Sequence, residues 1–352
     1  MAEDRMEGNI AVSFRREPDY FAGSRLQGEQ AQVIVCRDTN NSRIVGLGSR
    51  CRSTIHVNGT PTLAGYLSDL RCHPAYRKGT LLARGYRYLH ELHRADPLPA
   101  YSTIILESNT AAMENLIGPR ADLPTYLPMG RMLTPAIHLD FPKPDMRLPN
   151  ITLRRAFNDD LAHIVAFLNS RMMMRQFSPV YKANDFLPGG RCAGLTAQDF
   201  FLAEQHGTII GTLAAWDQAS IRQTHIERYS PALATIRPFY NLASRFSALK
   251  PLPAVGARIP YLYLCCIAIE EDDTDVFRAL LRFAYNRLRT GPWHYAIAGL
   301  HERDPLMSVL TEYRAIAAAG MLFRVEFPRK DKNEPKPVLP DDRIPYFEMA
   351  LA

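Results

Sequence analysis

The chain has 352 residues, 47% of them hydrophobic and 22% charged, with a formal net charge of +6. That is a globular composition with room for two domains. No apolar run is as long as a membrane span and the opening MAEDRMEGN has no apolar signal core, so a cytoplasmic protein without a membrane partner is expected.

Six cysteines (Cys36, Cys51, Cys72, Cys192, Cys265, Cys266) fall in no CxxC or Cys/His ligand spacing. They read as reduced, buried thiols, and no metal site is expected. The positive charge is scattered, with one dense run at RKDKNEPKP (329–337). No basic stripe carries interleaved aromatics, so no nucleic-acid partner is expected, and attraction to small anionic ligands accounts equally well for the mild basicity.

In chain order, 32–38 and 43–57 read as strands joined by the turn TNNS. A third strand spans 62–73. The helix after it places Leu82, Tyr86, Leu89 and Leu92 or His93 on one face. A buried strand follows at 102–108 and a short helix at 109–116. FPKPDMRLPN (141–150) carries three prolines in ten residues and reads as a boundary.

Beyond it, 151–156 reads as a strand, and Asn158 as the cap of a helix burying Leu161, Ile164, Val165, Leu168 and Met172. The segment 199–217 is a hairpin turning at His206–Gly207. A buried strand at 261–269 leads to a helix at 276–288 with Phe277, Leu280, Leu281, Ala284 and Leu288 inward. A strand at 293–300, a short helix at 304–310 and a last strand at 344–352 complete the reading. Both halves thus repeat hairpin, strand, amphipathic helix, strand, helix. This predicts two domains, 1–145 and 146–352.

The chemically informative stretch is LRCHPAYRKGTLLA (70–83), where a strand runs into a basic turn that opens onto a helix. A helix start presents unpaired N–H groups and partial positive charge, which suits a pyrophosphate. Thr80 is placed to cap the helix and Gly79 to let the backbone come close. Arg77, Lys78 and Arg84 add charge that a purely structural turn does not need.

Together with ESNTAAMENL (107–116), this stretch resembles the GNAT superfamily of acyl-CoA-dependent N-acyltransferases. Pro74, Tyr76 and Arg77 match its P-x-Y-R, and Asn109 and Ala112 match its Asn-x-x-Ala. With the repeated element order, the whole chain resembles a tandem GNAT protein. The resemblance implies an α+β fold of two GNAT-like domains, each a mixed, mostly antiparallel sheet flanked by helices. It implies an acetyl-CoA donor and a small-molecule or peptide amine as acceptor. The donor would be held by Leu70, Cys72, Arg77, Lys78, Gly79, Thr80, Leu81, Leu82, Ala83 and Asn109.

In such a site the pantetheine arm lies between 67–72 and 103–107, and the N–H near Cys72 polarises the thioester. The sequence departs from the superfamily at three points. Thr80 and Leu82 stand where it usually has small residues, Gly79 comes one residue early, and Leu116 replaces a tyrosine acid.

An amine must lose a proton before it attacks, and Asp69 and Glu107 are the candidate bases. Each reads equally as a solvated strand-end charge. Tyr126 is the substitute acid, with core packing as its other reading. Cys72 as a nucleophile lacks an evident base.

At the matching turn of the second half stands IEEDDTDV (269–276), with Glu270, Glu271, Asp272, Asp273 and Asp275. These would repel a pyrophosphate, so one donor site per chain is expected, in the first half. The competing reading is a degenerate tandem fold that binds acyl-CoA or a small molecule without turnover.

Overall fold

The computed structural model describes residues 5–6, 8–77, 79–118, 123–328 and 336–352. Lys78 and most of the basic 329–337 run lie outside the described residues.

Two seven-stranded sheets form the framework. The first runs, in spatial order, Leu300–His301, Thr125–Leu133, Ala319–Glu326, Tyr101–Leu106, Thr60–Cys72, Ile44–Val57, Gln30–Arg37. The second runs Ala315–Ile316, Ala136–His138, Tyr295–Ala298, Tyr261–Ile269, Thr208–Trp216, Phe200–Gln205, Ile151–Arg155. Each has one parallel pair, Thr60–Cys72 with Tyr101–Leu106 and Tyr261–Ile269 with Tyr295–Ala298; the other pairs are antiparallel. The fold is therefore α+β, with two mixed, mostly antiparallel sheets flanked by helices.

The sheets exchange strands. Ala319–Glu326, late in the sequence, inserts between Tyr101–Leu106 and Thr125–Leu133 of the first sheet. Ala136–His138, early in the sequence, inserts between Tyr295–Ala298 and Ala315–Ile316 of the second. A cut at residue 145 would divide the sequence without dividing the sheets. A further three-stranded sheet joins Ile10–Arg15 to Gln223–Tyr229. Neither of these strands, nor the helix Pro231–Ser244, stands out in the alternation pattern.

Most elements follow from local sequence. His206 and Gly207 take the positive φ (52° and 77°) that a two-residue hairpin turn requires. Leu81–Ala95 buries Tyr86, Leu89, His90 and His93 at helical spacing. His93, rather than Leu92, completes the face: it stacks on Phe327 and its Nδ1 lies 3.0 Å from the Tyr101 hydroxyl.

Two expectations are corrected. Asn158 does not cap the following helix by its side chain; it begins a short 3-10 turn, and the Asp160 carboxylate accepts from the Phe157 N–H at 2.7 Å. Residues 344–352 form no strand. They make a single bridge at Gln176–Pro345 and end in the 3-10 turn Met349–Leu351. Tyr346, Phe347, Ala350 and Leu351 are all buried, so their apolar character reflects packing between the two sheets.

Candidate functional site

The first parallel pair forms a fork. Its strands are in register at Gly65–Tyr101 and Tyr66–Ser102 and then diverge. Gly65 is required at the junction, because a Cβ there would lie 2.1 Å from the Tyr101 ring. That ring is fixed in turn: its hydroxyl accepts from the Nε of fully buried Arg50 at 3.0 Å. Past the junction one side-chain bond spans the gap, from Thr103 Oγ1 to the Leu67 carbonyl at 2.7 Å.

A bulge then turns the Thr60–Cys72 strand aside. Its register against Ile44–Val57 shifts between Leu47 and Ser49, and Asp69 adopts φ 56°. Counted from the junction, Leu70 and Leu106 are matched positions on the two prongs. Both are exposed, at 46% and 37%, so apolar side chains are accessible at the wide end of the cleft between the diverging prongs.

The basic turn sits at this open end. His73 Nδ1 accepts from the Ala75 N–H at 3.3 Å, and the Tyr76 hydroxyl donates to Asp38 at 2.6 Å. Arg77 Nε donates to the Cys72 carbonyl at 3.1 Å and braces the turn. Thr80 occupies the cap position of Leu81–Ala95, but its side chain makes no capping bond. Among the described residues, the first-turn amides thus receive no acceptor from the cap side chain that normally supplies one.

Gly79 has no left-handed φ, and an added Cβ would meet only the Tyr76 carbonyl oxygen at 3.7 Å. The glycine leaves space rather than relieving strain. Leu81 packs toward Gly46 and Leu82 onto the core, so these two offer backbone amides rather than side chains. Ala83 is exposed beside them.

The remaining candidates are held by other partners. Asn109 is the cap of Thr110–Leu116, and its side chain accepts from the Ala112 N–H at 3.1 Å. The Asn-x-x-Ala spacing is thereby accounted for as a helix start. Asp69 forms an ion pair with Arg16 at 2.6 Å and accepts from the Tyr20 hydroxyl at 3.1 Å. Glu107 is clasped by Arg131 at 2.5 and 3.0 Å, and that guanidinium lowers its pKa from the usual glutamate value.

Tyr126 lies in the core, its hydroxyl bonded to that of Tyr86, and burial pushes its pKa well up. The structure does not bring it to the cleft with the others. Burial also raises the Cys72 thiol, which disfavours the thiolate a nucleophile needs.

The second parallel pair forms the matching fork and is closed. Its register runs from Tyr261–Tyr295 to Leu264–Ala298 and stops. A bulge follows at the equivalent place, with Cys266 at φ 51° and a register shift between Thr212 and Ala214. Here the divergent prong is buried, with Ile267, Ala268 and Ile269 at 3–4% exposure.

The chain's own C-terminal segment fills the gap. The Cys266 N–H donates to Glu348 at 2.9 Å, and Met349 lies so close that a Cβ on Gly299 would meet its side chain at 2.1 Å. Tyr346 also donates to Glu348, at 2.8 Å. Burial raises the Glu348 pKa.

The helix start beyond is closed as well. Asp273 accepts from the Asp275 and Val276 amides at 2.8 and 3.2 Å. Glu270 and Asp272 pair with Arg171 and Arg175 at 2.6 and 2.5 Å, and Asp275 pairs with Arg278. Three of the five carboxylates are thus neutralised, and the capping aspartate occupies the amides directly.

Sequence reasoning placed neither Glu348 nor Met349 at a functional position. A glutamate among apolar residues near a chain end was the one available signal.

A cavity of about 40 Å³ lies behind the first fork's junction, between the sheets; Gly65, Tyr66, Ser102, Arg191, Phe347 and Glu348 contribute to its lining.

No family model matches the sequence, and no curated protein matches it either. Solved structures do match in shape. A GCN5-related N-acetyltransferase from Sphaerobacter thermophilus aligns with TM-score 0.53 at 13% identity, covering 91% of this chain and 97% of that one. The GCN5-related glucosamine N-acetyltransferase region of a fungal multi-domain GH3 β-N-acetylglucosaminidase aligns with TM-score 0.57 at 12% identity, covering 86% of this chain and 34% of that one. Saccharomyces cerevisiae N-myristoyltransferase, solved with bound myristoyl-CoA, aligns with TM-score 0.54 at 12% identity, covering 92% of this chain and 72% of that one.

These likenesses are of fold, at 12–13% identity. More particularly, the chain has the GCN5-related N-acetyltransferase fold, extended over two sheets.

Proposed function

We propose that the protein is an acyl-CoA-dependent N-acyltransferase with one working site, at the first fork. The observation that carries this reading is the open cleft between the diverging prongs, ending at a basic turn and an uncapped helix start. The pyrophosphate would lie against the amides of residues 81–83, with Arg77 beside it and the positive charge of Lys78 next in the sequence. The pantetheine arm would run between the Leu70 and Leu106 prongs toward the junction. Backbone near the Asp69 bulge would polarise the thioester carbonyl.

The small cavity behind the junction suits a short acyl group such as acetyl better than a long chain. The acceptor is an amine, from a small molecule or a peptide. Of the candidate bases, Asp69 lies at the bulge where the thioester is proposed to sit, but it is tied to Arg16 and Tyr20. Proton removal would therefore run through water or require that pair to loosen.

That engagement of Asp69, Glu107 and Tyr126 favours a second reading, in which the same cleft binds acyl-CoA without turnover. Incubation of acetyl-CoA with a panel of amines, read by free-thiol release, separates the two. Amine-dependent thiol release supports the enzyme. Calorimetric binding of acetyl-CoA with no release under any amine supports the binder, and absence of binding overturns both.

A further inference from the structure

The helix Pro231–Ser244 is an insertion between Gln223–Tyr229 and Tyr261–Ile269, and not one of its residues is buried. Its amphipathicity is inverted. At helical spacing, Ile236, Phe239, Leu242, Ala243 and Phe246 share an arc of about 120°, and all five are exposed. Phe239 and Phe246 stand out at 72% and 85% exposure. The turn continues to Phe246 through its N–H bond to the Ala243 carbonyl at 3.1 Å.

The opposite side ties the helix to the loop that follows it. Arg237 Nε and Asn241 Nδ2 donate to the Leu252 carbonyl at 3.2 and 3.0 Å, and Asn241 accepts from the Leu252 amide at 2.8 Å. A globular protein usually turns such a helix the other way, because exposing large apolar side chains costs free energy.

Charge narrows what covers this face. From 228 to 269 the sequence holds five cations and no Asp or Glu; Arg228, Arg245 and Arg258 are exposed, whereas Arg237 and Lys250 are turned to backbone carbonyls. An exposed apolar stripe on an acid-free, cationic segment is complementary to a bilayer surface with anionic headgroups, into which the aromatic side chains can insert. We propose that this helix docks the protein on an anionic lipid surface. A membrane-spanning apolar run is not needed for this, so the lack of a long apolar helix among the described residues does not oppose it. The inference is independent of the acyltransferase reading, since it concerns a separate element and is read without activity.

The test is co-sedimentation of the full chain with vesicles. Phosphatidylcholine containing phosphatidylglycerol should pellet the protein at least about tenfold better than phosphatidylcholine alone, with loss at high salt. Phe239→Ser with Phe246→Ser should abolish pelleting while leaving thermal unfolding unchanged, and Arg245→Glu should weaken it severalfold. Failure to pellet with the anionic vesicles would overturn the proposal. So would a wild-type dimer in solution that the double serine variant converts to monomer, because the stripe would then be covered by a second copy.

Discussion

The two forks share a construction and differ in what fills them. Each is a parallel strand pair that diverges past a bulge, with Asp69 at φ 56° in one and Cys266 at φ 51° in the other. In the first, the prongs stand apart with exposed leucines and the helix start has no side-chain cap. In the second, Glu348 takes the bulge amide, Met349 fills the gap and Asp273 takes the helix amides. A repeated fold supplies two equivalent places, and the side chains sent into each decide whether a ligand can enter. Duplicate architecture is thus no guide to duplicate function.

The largest effect should come from unplugging the closed fork. Tyr346 is fully enclosed and bonded to Glu348. Tyr346→Ala should cost about 3–5 kcal/mol, as for other large buried aromatics, read from urea unfolding. A loss near zero would mean that the segment 344–352 does not hold the second fork shut.

Next comes the open fork. Replacing Arg77 and Lys78 together with alanine should weaken acetyl-CoA binding roughly tenfold, about 1.4 kcal/mol, by titration calorimetry. Unchanged affinity would remove the basic turn from the site. The wild type should bind close to one donor per chain, and a value of two would contradict the asymmetry outright.

A smaller effect concerns pH. Burial raises the Glu348 pKa above its unfolded value, so the folded state favours the protonated acid. That contribution is complete below the unfolded glutamate value of about 4.3 and is lost as pH rises through the folded value. Glu348→Gln removes the titration. Its stability relative to wild type should therefore rise between acid and neutral pH; a constant difference across that range would show that Glu348 titrates normally.

The smallest expected change is none. Met349→Ala opens space at Gly299 but leaves Asp273 on the helix amides and Glu270, Glu271, Asp272 and Asp275 around them. Donor stoichiometry should stay near one. A second binding event would show that Met349 alone closes the second fork.

The sequence by itself determined the local elements and the side of the molecule that carries the basic turn. Turn chemistry at His206–Gly207, the apolar period of Leu81–Ala95 and the acidic run at 270–275 act over a few residues, and local pattern reports them. It also marked the wide end of the open fork through 70–83.

Tertiary structure decided the rest. The exchange of Ala136–His138 and Ala319–Glu326 between sheets pairs residues 157 (Tyr295 with His138) to 222 (Arg324 with Ser102) positions apart, and hydrophobic alternation does not encode a strand's partner. The residues 344–352 look like a strand because seven of the nine are apolar, yet they pack between sheets with no ladder to join. In the sequence Asp69 reads as a base or a solvated charge and Tyr126 as an acid or a core residue; the structure sets Arg16 against the first and Tyr86 against the second. A titratable side chain's role depends on the charge and burial around it, and those come from segments that are distant in sequence.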